Sequence, residues 1–197
     1  MAIPDLANPL ALFDAWYADA AACPDIDDHT AMTLATVDRD GMPDARQVLL
    51  KGHDAHGFVF YTNLTSPKAA QLQENPRAAL CFYWMPLGKQ VRIRGPVETV
   101  TAAEADAYFA TRPRQSNLGA WASKQSQPIE GPFELERRIA RCVARYLFGP
   151  VPRPPFWSGF KVTPECIEFW LKKPYRLHER ICYTRSGADW TRQRLYP

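Results

Sequence analysis

Short strand-type runs, punctuated by turn residues and only irregularly interrupted by helices, constrain this chain more than any other feature of it. Ala31–Val37 is the first run, followed by the turn Asp38-Arg-Asp-Gly41 and a second run near 44–52. Gly57–Asn63, rich in aromatic and β-branched residues, is a third. Ala78–Trp84 and Gln90–Val100 follow, joined by a loop with Pro86 and Gly88, and on the latter Gln90, Arg92 and Arg94 alternate with Val91 and Ile93. Gly159–Val162, Glu165–Leu171, and a hairpin of Arg176–Thr184 with Trp190–Leu195 around Ser186-Gly187 complete the set. Helix signals lie between them. Asn8-Pro9 opens an amphipathic helix over 9–22, and Ser66-Pro67-Lys68 opens one that ends before Asn75-Pro76. Thr101-Ala-Ala-Glu104 is a capping box for a helix over roughly 102–111, and Phe133–Tyr146 is a charged helix with Leu135, Ile139, Val143 and Leu147 on its apolar side. Gly149–Pro155 is proline-rich and extended. Strands that do not alternate regularly with helices predict a mainly β fold, an antiparallel barrel with peripheral helices. A length of 197 residues suits one domain over 1–197.

Composition narrows the function. A net charge of +3 gives no support to nucleic-acid binding. Five cysteines without a CxxC pair fit a reducing cytosol, and the four histidines contain no HExxH, so a structural metal is not expected. Neither a signal-peptide pattern nor an apolar run of membrane-spanning length is present, which predicts a cytoplasmic protein.

Several polar stretches are equipped to hold anions. On the helix over 102–111, Tyr108 and Arg112 stand four apart and share a face. Pro113 breaks that helix, and Ser116 falls in the first turn of the next, where free backbone N–H groups attract negative charge. Tyr108, Arg112 and Ser116 form either a phosphate cradle or one face of a solvated helix pair. In the run near 44–52, Arg46, Val48 and Leu50 share one face while Gln47, Leu49 and Lys51 share the other, so Arg46 and Lys51 are placed to serve two different anions. The start at Ser66-Pro67-Lys68, just after Tyr61-Thr62, offers a third anion site or simply a capped helix. Arg176, His178 and Arg180 fall on one face of a strand, with Leu177 and Glu179 on the other. They make either a ligand site or a charged edge that resists aggregation. Trp170 is a ring-stacking residue or ordinary core.

Taken together, Arg46-Gln-Val-Leu-Leu-Lys51, Phe60-Tyr-Thr-Asn63, Arg112-Pro-Arg-Gln-Ser116, Gly119-Ala-Trp-Ala-Ser-Lys-Gln-Ser126, Phe156-Trp-Ser-Gly-Phe160, Ile167-Glu-Phe-Trp170 and Arg176-Leu-His-Glu-Arg180 resemble the pyridoxine/pyridoxamine 5′-phosphate oxidase family. The resemblance runs from about Asn8 to the terminal Arg194-Leu-Tyr-Pro197. It implies an FMN-binding split β-barrel that works as a homodimer, with flavin at the subunit interface. It also implies oxidation of pyridoxine or pyridoxamine 5′-phosphate to pyridoxal 5′-phosphate, with O2 as acceptor and release of H2O2. By matched position, Arg46, Val48, Leu49, Lys51, Tyr61, Thr62, Lys68, Gln90, Gln125, Ser126, Trp170 and Arg180 correspond to flavin contacts. Lys51, Tyr108, Arg112 and Ser116 correspond to the cradle for the substrate phosphate, and Arg176 and His178 to the catalytic groups over its pyridine ring.

Two departures stand out. Family members often place an arginine before the lysine of the flavin-phosphate loop, where this chain has Pro67. Met1–Ala7 contains neither the arginine nor the tyrosine of the segment that commonly closes over the substrate, so the chain departs from the family pattern there. The rival readings are a flavin oxidase acting on another aromatic ring, as in phenazine biosynthesis, and a non-catalytic flavin- or pyridoxal-phosphate-binding module. The first has no need of the phosphate cradle, and the second no need of Arg176 and His178.

Overall fold

A computed structural model describes residues 2–197. Helix α1 (Pro9–Ala22) is capped by the Asn8 side chain, which accepts from the Leu10 amide at 2.9 Å. Its buried face of Leu12, Phe13 and Trp16 lies on the barrel. Strands β1 (Ala31–Val37) and β2 (Pro43–Leu49) form a hairpin in register from Ala31–Leu49 to Val37–Pro43. The second run is shorter than the sequence suggests. After Leu49 the Leu50 amide still donates to Thr30 O, on the β1 side, but the Lys51 amide donates to Val59 O in β4. The chain changes hydrogen-bond partners there and continues as a separate short strand, β3 (Gly52–Asp54). Lys51 thus sits at a corner between two sheets.

Strand β4 (Gly57–Asn63) leads into α2 (Pro67–Glu74). Pro67 occupies the first turn as expected, but the Ser66 hydroxyl does not cap the helix; it donates back to Asn63 O at 2.7 Å. Then come β5 (Arg77–Trp84), β6 (Lys89–Thr99), α3 (Ala102–Thr111), α4 (Arg114–Ala122), α5 (Glu134–Arg145), β7 (Trp157–Val162), β8 (Cys166–Leu171), β9 (Glu179–Ser186) and β10 (Asp189–Leu195). All pairings among the described strands are antiparallel, in the order β10-β9-β8-β6-β5-β1-β2, with β6 also pairing β7 and β7 pairing β4. Strand β6 therefore belongs to both halves of the barrel. Lys89–Arg94 pair with β8 and Val97–Thr99 with β7. At the switch between them the Gly95 backbone lies against the carbonyl of Thr163, which a Cβ would meet at 1.8 Å. Only glycine fits that crossing.

The core is aromatic at its centre. Phe13 meets Phe58 edge-on at 5.0 Å and Phe82 at 5.3 Å, and Phe169 meets Tyr183 at 5.8 Å. Each such side chain buried contributes about 1.5–3 kcal/mol. Helix α5 is different. Its apolar positions Leu135, Ile139 and Val143 remain 41%, 37% and 41% exposed, so the stripe seen in the sequence has no cover within one chain. No helix among the described residues is long and apolar enough to cross a membrane.

Candidate active site

A cleft of about 460 Å³ opens between β2, β4, α3 and α4. The capping box at Thr101 forms as expected, its hydroxyl accepting from the Glu104 amide at 3.2 Å and its own amide donating to the Glu104 carboxylate at 2.8 Å. Helix α3 ends at Arg112, whose extended backbone (φ −74°, ψ 149°) reflects the proline that follows. Helix α4 restarts at Arg114, which places Ser116 in its first turn. Lys51, Tyr108, Arg112 and Ser116 all line the cleft, with Val48, Leu49, Tyr61, Thr62, Lys68 and Gln125. The structure thus brings together in one hollow residues scattered over almost eighty positions of sequence.

The cations there lack charged partners. Lys68 is 9% exposed, and its Nζ donates to Gln125 Oε1 at 2.9 Å, with Ser66 Oγ at 3.4 Å. Thr62 Oγ1 donates to the same Gln125 oxygen at 3.1 Å. Burial, then the neighbouring charge of Arg46, holds the Lys68 pKa below its ordinary value. Arg112 donates from Nη2 to the Ser116 carbonyl at 3.2 Å, while its Nη1 is buried without a partner among the described residues. Burial also lowers its pKa. An unpaired buried donor of this kind costs about 1–3 kcal/mol, more when charged, unless something accepts from it. Two such cations in one hollow suit an anionic ligand.

Other predicted residues lie elsewhere. Arg46 does not line the cleft; its guanidinium pairs with Asp44 and donates to Thr36 Oγ1 and Gln71 Oε1, beside α2. Ser126 adopts φ +67° and lines a separate hollow with Lys124 and Pro128, so of the Gln125-Ser126 pair only the glutamine faces the cleft. Gln90, Trp170 and Arg180 stand directly opposite one another across β6, β8 and β9. The His178 ring leans on Trp170 at 4.5 Å. Arg180 Nε donates to Glu168 at 2.9 Å, and Arg92 pairs with the same buried carboxylate.

One expectation is corrected. Arg176, His178 and Arg180 do not share a strand face, because β9 begins only at Glu179. Pro174–Arg176 form a single 3₁₀ turn in which Tyr175 (φ 57°) and Arg176 (φ 62°) are left-handed. Pro174 fixes its own φ and has no N–H for a ladder, which keeps this segment out of the sheet. His178 is held instead by its Nδ1, which accepts from the Lys173 amide at 3.2 Å. A second hollow, lined by His178, Arg180, Tyr175 and Arg194, lies at this edge, and it shares no residue with the cleft.

Sequence reasoning assigned no role to Trp157, which lines the cleft at 6% exposure. Its signal was available in Phe156-Trp-Ser-Gly-Phe160. Gly159 pairs with Tyr61, and a Cβ on it would come within 2.7 Å of the Tyr61 ring. His53 and His56 are spaced HxxH, but His53 Nε2 is on Asp14 at 2.7 Å and its ring stacks on Phe58.

Comparison with known proteins agrees with these features. Residues 19–145 match the profile of the pyridoxamine 5′-phosphate oxidase family, and residues 157–197 match the pyridoxine 5′-phosphate oxidase C-terminal dimerisation region. A pyridoxine/pyridoxamine 5′-phosphate oxidase of Nitrobacter hamburgensis is 55% identical over 195 residues, 98% of this chain and 91% of that one. Its counterpart in Azorhizobium caulinodans is 58% identical over 192 residues, 96% of this chain and 90% of that one. Among solved structures, PhzG of Burkholderia lata in complex with tetrahydrophenazine-1-carboxylic acid superposes with a TM-score of 0.91 at 30% identity, covering 98% of this chain and 94% of that one. A pyridoxamine 5′-phosphate oxidase-related, FMN-binding protein of Nostoc punctiforme shares the fold, with a TM-score of 0.76 at 18% identity over 96% of this chain and 98% of that one.

Proposed function

The chain belongs to the pyridoxamine 5′-phosphate oxidase family of split-barrel flavoproteins, and from that membership we propose that it oxidises pyridoxine or pyridoxamine 5′-phosphate to pyridoxal 5′-phosphate with FMN as cofactor. The observation that supports this most is the half-buried Arg112, whose buried Nη1 has no partner among the described residues, in a hollow that also presents Lys51, Tyr108 and Ser116. That set suits a phosphate monoester. FMN, when bound, would supply the two-electron redox chemistry, by which the substrate loses two electrons and two protons and O2 gains them as H2O2.

The work of this chain is then to bind and orient. Lys68, buried without a carboxylate partner and reached from Thr62 through Gln125, is suited to the flavin phosphate. Lys51, Tyr108, Arg112 and Ser116 hold the substrate phosphate and so fix the distance of the ring from the flavin. Arg176 and His178 hold the far side of the pyridine ring and polarise it.

The two groups line separate hollows: the cradle lies in the cleft, whereas His178 and Arg180 line the hollow at the start of β9, which shares no residue with it. The proposal therefore includes a homodimer in which the cleft of one chain is completed by Gln90, Trp170, Arg176, His178 and Arg180 of the other. The dimerisation region at residues 157–197 contains four of those five.

The likeness to PhzG favours a second reading, in which the ring oxidised is not a pyridoxine phosphate. Peroxide release measured with pyridoxine phosphate, pyridoxamine phosphate and the unphosphorylated vitamers decides between them. The proposal expects turnover that depends strongly on the phosphate. Equal turnover of phosphorylated and unphosphorylated vitamers, or none of either, overturns it.

A further inference from the structure

We propose that Trp157 is a positioning residue whose indole face keeps the Arg112 guanidinium on the cleft side of α3 and thereby sets the preference for phosphorylated substrates. The inference rests on the functional reading above and deepens it.

Arg112 is a wall between two hollows. One is the cleft; the other, of about 450 Å³, lies behind it and is lined by Asp106, Asn117 and Arg153 among others. Among the described residues no carboxylate pairs with the guanidinium to decide which way it faces. The rear carboxylate of Asp106 is taken by Arg153 Nε at 2.6 Å, and Arg112 itself reaches only the Ser116 carbonyl. What remains is the ring beneath it. The Arg112 guanidinium carbon lies 4.7 Å from the centroid of Trp157 and 5.2 Å from that of Phe109. Attraction of a cation to an aromatic face strengthens when water is withdrawn, and tryptophan provides the strongest face. Burial lowers the pKa of Arg112, in keeping with such withdrawal.

Trp157 is in turn held in place. It meets Phe109 edge-on at 4.9 Å and lies parallel to Tyr61, at 5.2 Å and 3°. Tyr61 lies flat over Gly159, where a Cβ would collide with it, and Tyr108 stacks on Tyr61 at 4.1 Å and 10°. Tyr108 and Arg112 therefore rest on one aromatic platform. Strands β4 and β7 supply that platform through Tyr61 and Trp157, whereas Tyr108 and Arg112 come from α3 and its C-terminal end. A helix end is free to tilt by an ångström; a guanidinium on a fixed ring is not.

The test compares holoenzymes of wild type, Trp157→Leu and Trp157→Phe with pyridoxine 5′-phosphate and with pyridoxine. Calorimetric binding of pyridoxal 5′-phosphate and of pyridoxal serves as the readout independent of turnover. The preference for the phosphorylated compound should fall about three- to thirtyfold in Trp157→Leu and less in Trp157→Phe, through KM with kcat held. In an Arg112→Ala background, replacing Trp157 should change the preference no further, because the ring acts through the guanidinium. Should the leucine variant not fold, Trp157→Phe keeps the packing and decides the matter alone. A wild type that discriminates while Trp157→Phe and any folded Trp157→Leu keep its ratio overturns the role of Trp157 only. A wild type that does not discriminate overturns both this role and the function it rests on.

Discussion

In the cleft, Tyr108 and Arg112 lie one helical turn apart against a pile of rings that holds them. Ahead of the start of β9, Tyr175 and Arg176 adopt left-handed backbone, and the Tyr175 side chain is 92% exposed. The first region is ordered within one chain: α3 is capped, the rings are stacked and Lys68 is buried. The second is anchored at its base, where His178 leans on Trp170 and accepts from the Lys173 amide, and Arg180 shares Glu168 with Arg92. Left-handed conformations at non-glycine residues cost of order 1–3 kcal/mol each and persist where surrounding structure or function demands them. The contrast fits a site assembled from two chains. On the proposed reading, the binding half is prepared before the partner arrives and the half assigned to the ring is completed by contact.

The sharpest way to break this comparison is to divide the defect. At substrate well below the wild-type KM, chains carrying Arg112→Ala and chains carrying Arg176→Ala should each be nearly inactive as homodimers. Mixed dimers have one intact site, so a mixture refolded together should recover about a quarter of wild-type peroxide release. No recovery above the separate variants would place both halves in one chain.

The next effect separates binding from chemistry. Arg112→Ala should raise KM for the phosphorylated substrate by about 10- to 150-fold while sparing kcat, since it removes a charge-assisted contact of about 1.5–3 kcal/mol. His178→Ala should instead lower kcat by about one to two decades and leave KM nearly unchanged. A His178→Ala enzyme with wild-type kcat refutes its assignment.

A smaller difference tests the cofactor end. Pro67 stands where the family often has arginine, and it fits the first turn of α2 without supplying a donor. Titration of apoprotein should show FMN bound more tightly in Pro67→Arg by roughly one to two decades, less whatever proline contributes to the helix. Equal dissociation constants sink the idea.

The smallest effect is a slope. Burial lowers the Lys68 pKa below its ordinary 10.5, so in the apoprotein its proton is lost at lower pH than on a free lysine. A bound phosphate favours the ammonium, so binding takes up a proton above that lowered pKa, and FMN affinity should decline as pH rises through it. Lys68→Met should bind more weakly at neutral pH and lose that decline.

Much of the architecture was legible because alternation and capping are local. Asn8, Thr101 and Gly187 marked ends that the fold keeps, and the Val91/Ile93 against Arg92/Arg94 pattern correctly told inside from outside. The missed features depend on partners distant in sequence. Lys51 turns a corner because its amide finds Val59, and nothing in the run near 44–52 announces that exchange. The Arg176–Arg180 alternation looked like a strand, but Pro174 had already removed the start of the ladder. Trp157 gains its importance from Arg112, forty-five positions earlier, and from a glycine opposite Tyr61. Residues assigned by resemblance divide in the same way: Lys68 and Gln125 meet in space, whereas Arg46 and Ser126 turn to other neighbours.

Strand β6 links these two regions more directly than their separation suggests. One end carries Gln90 beside Trp170, and the other pairs with the β7 that presents Trp157 and Gly159, with the glycine crossing at Gly95 between them. Neither end can detach while the other stays paired without tearing a continuous run of backbone hydrogen bonds to β5. The consequence is cooperativity in unfolding: the cradle cannot outlast the C-terminal sheet as a stable fragment. The amides of β6 should then exchange with solvent only through the global opening of the chain, and a protein that has lost one half of its site will have lost the other.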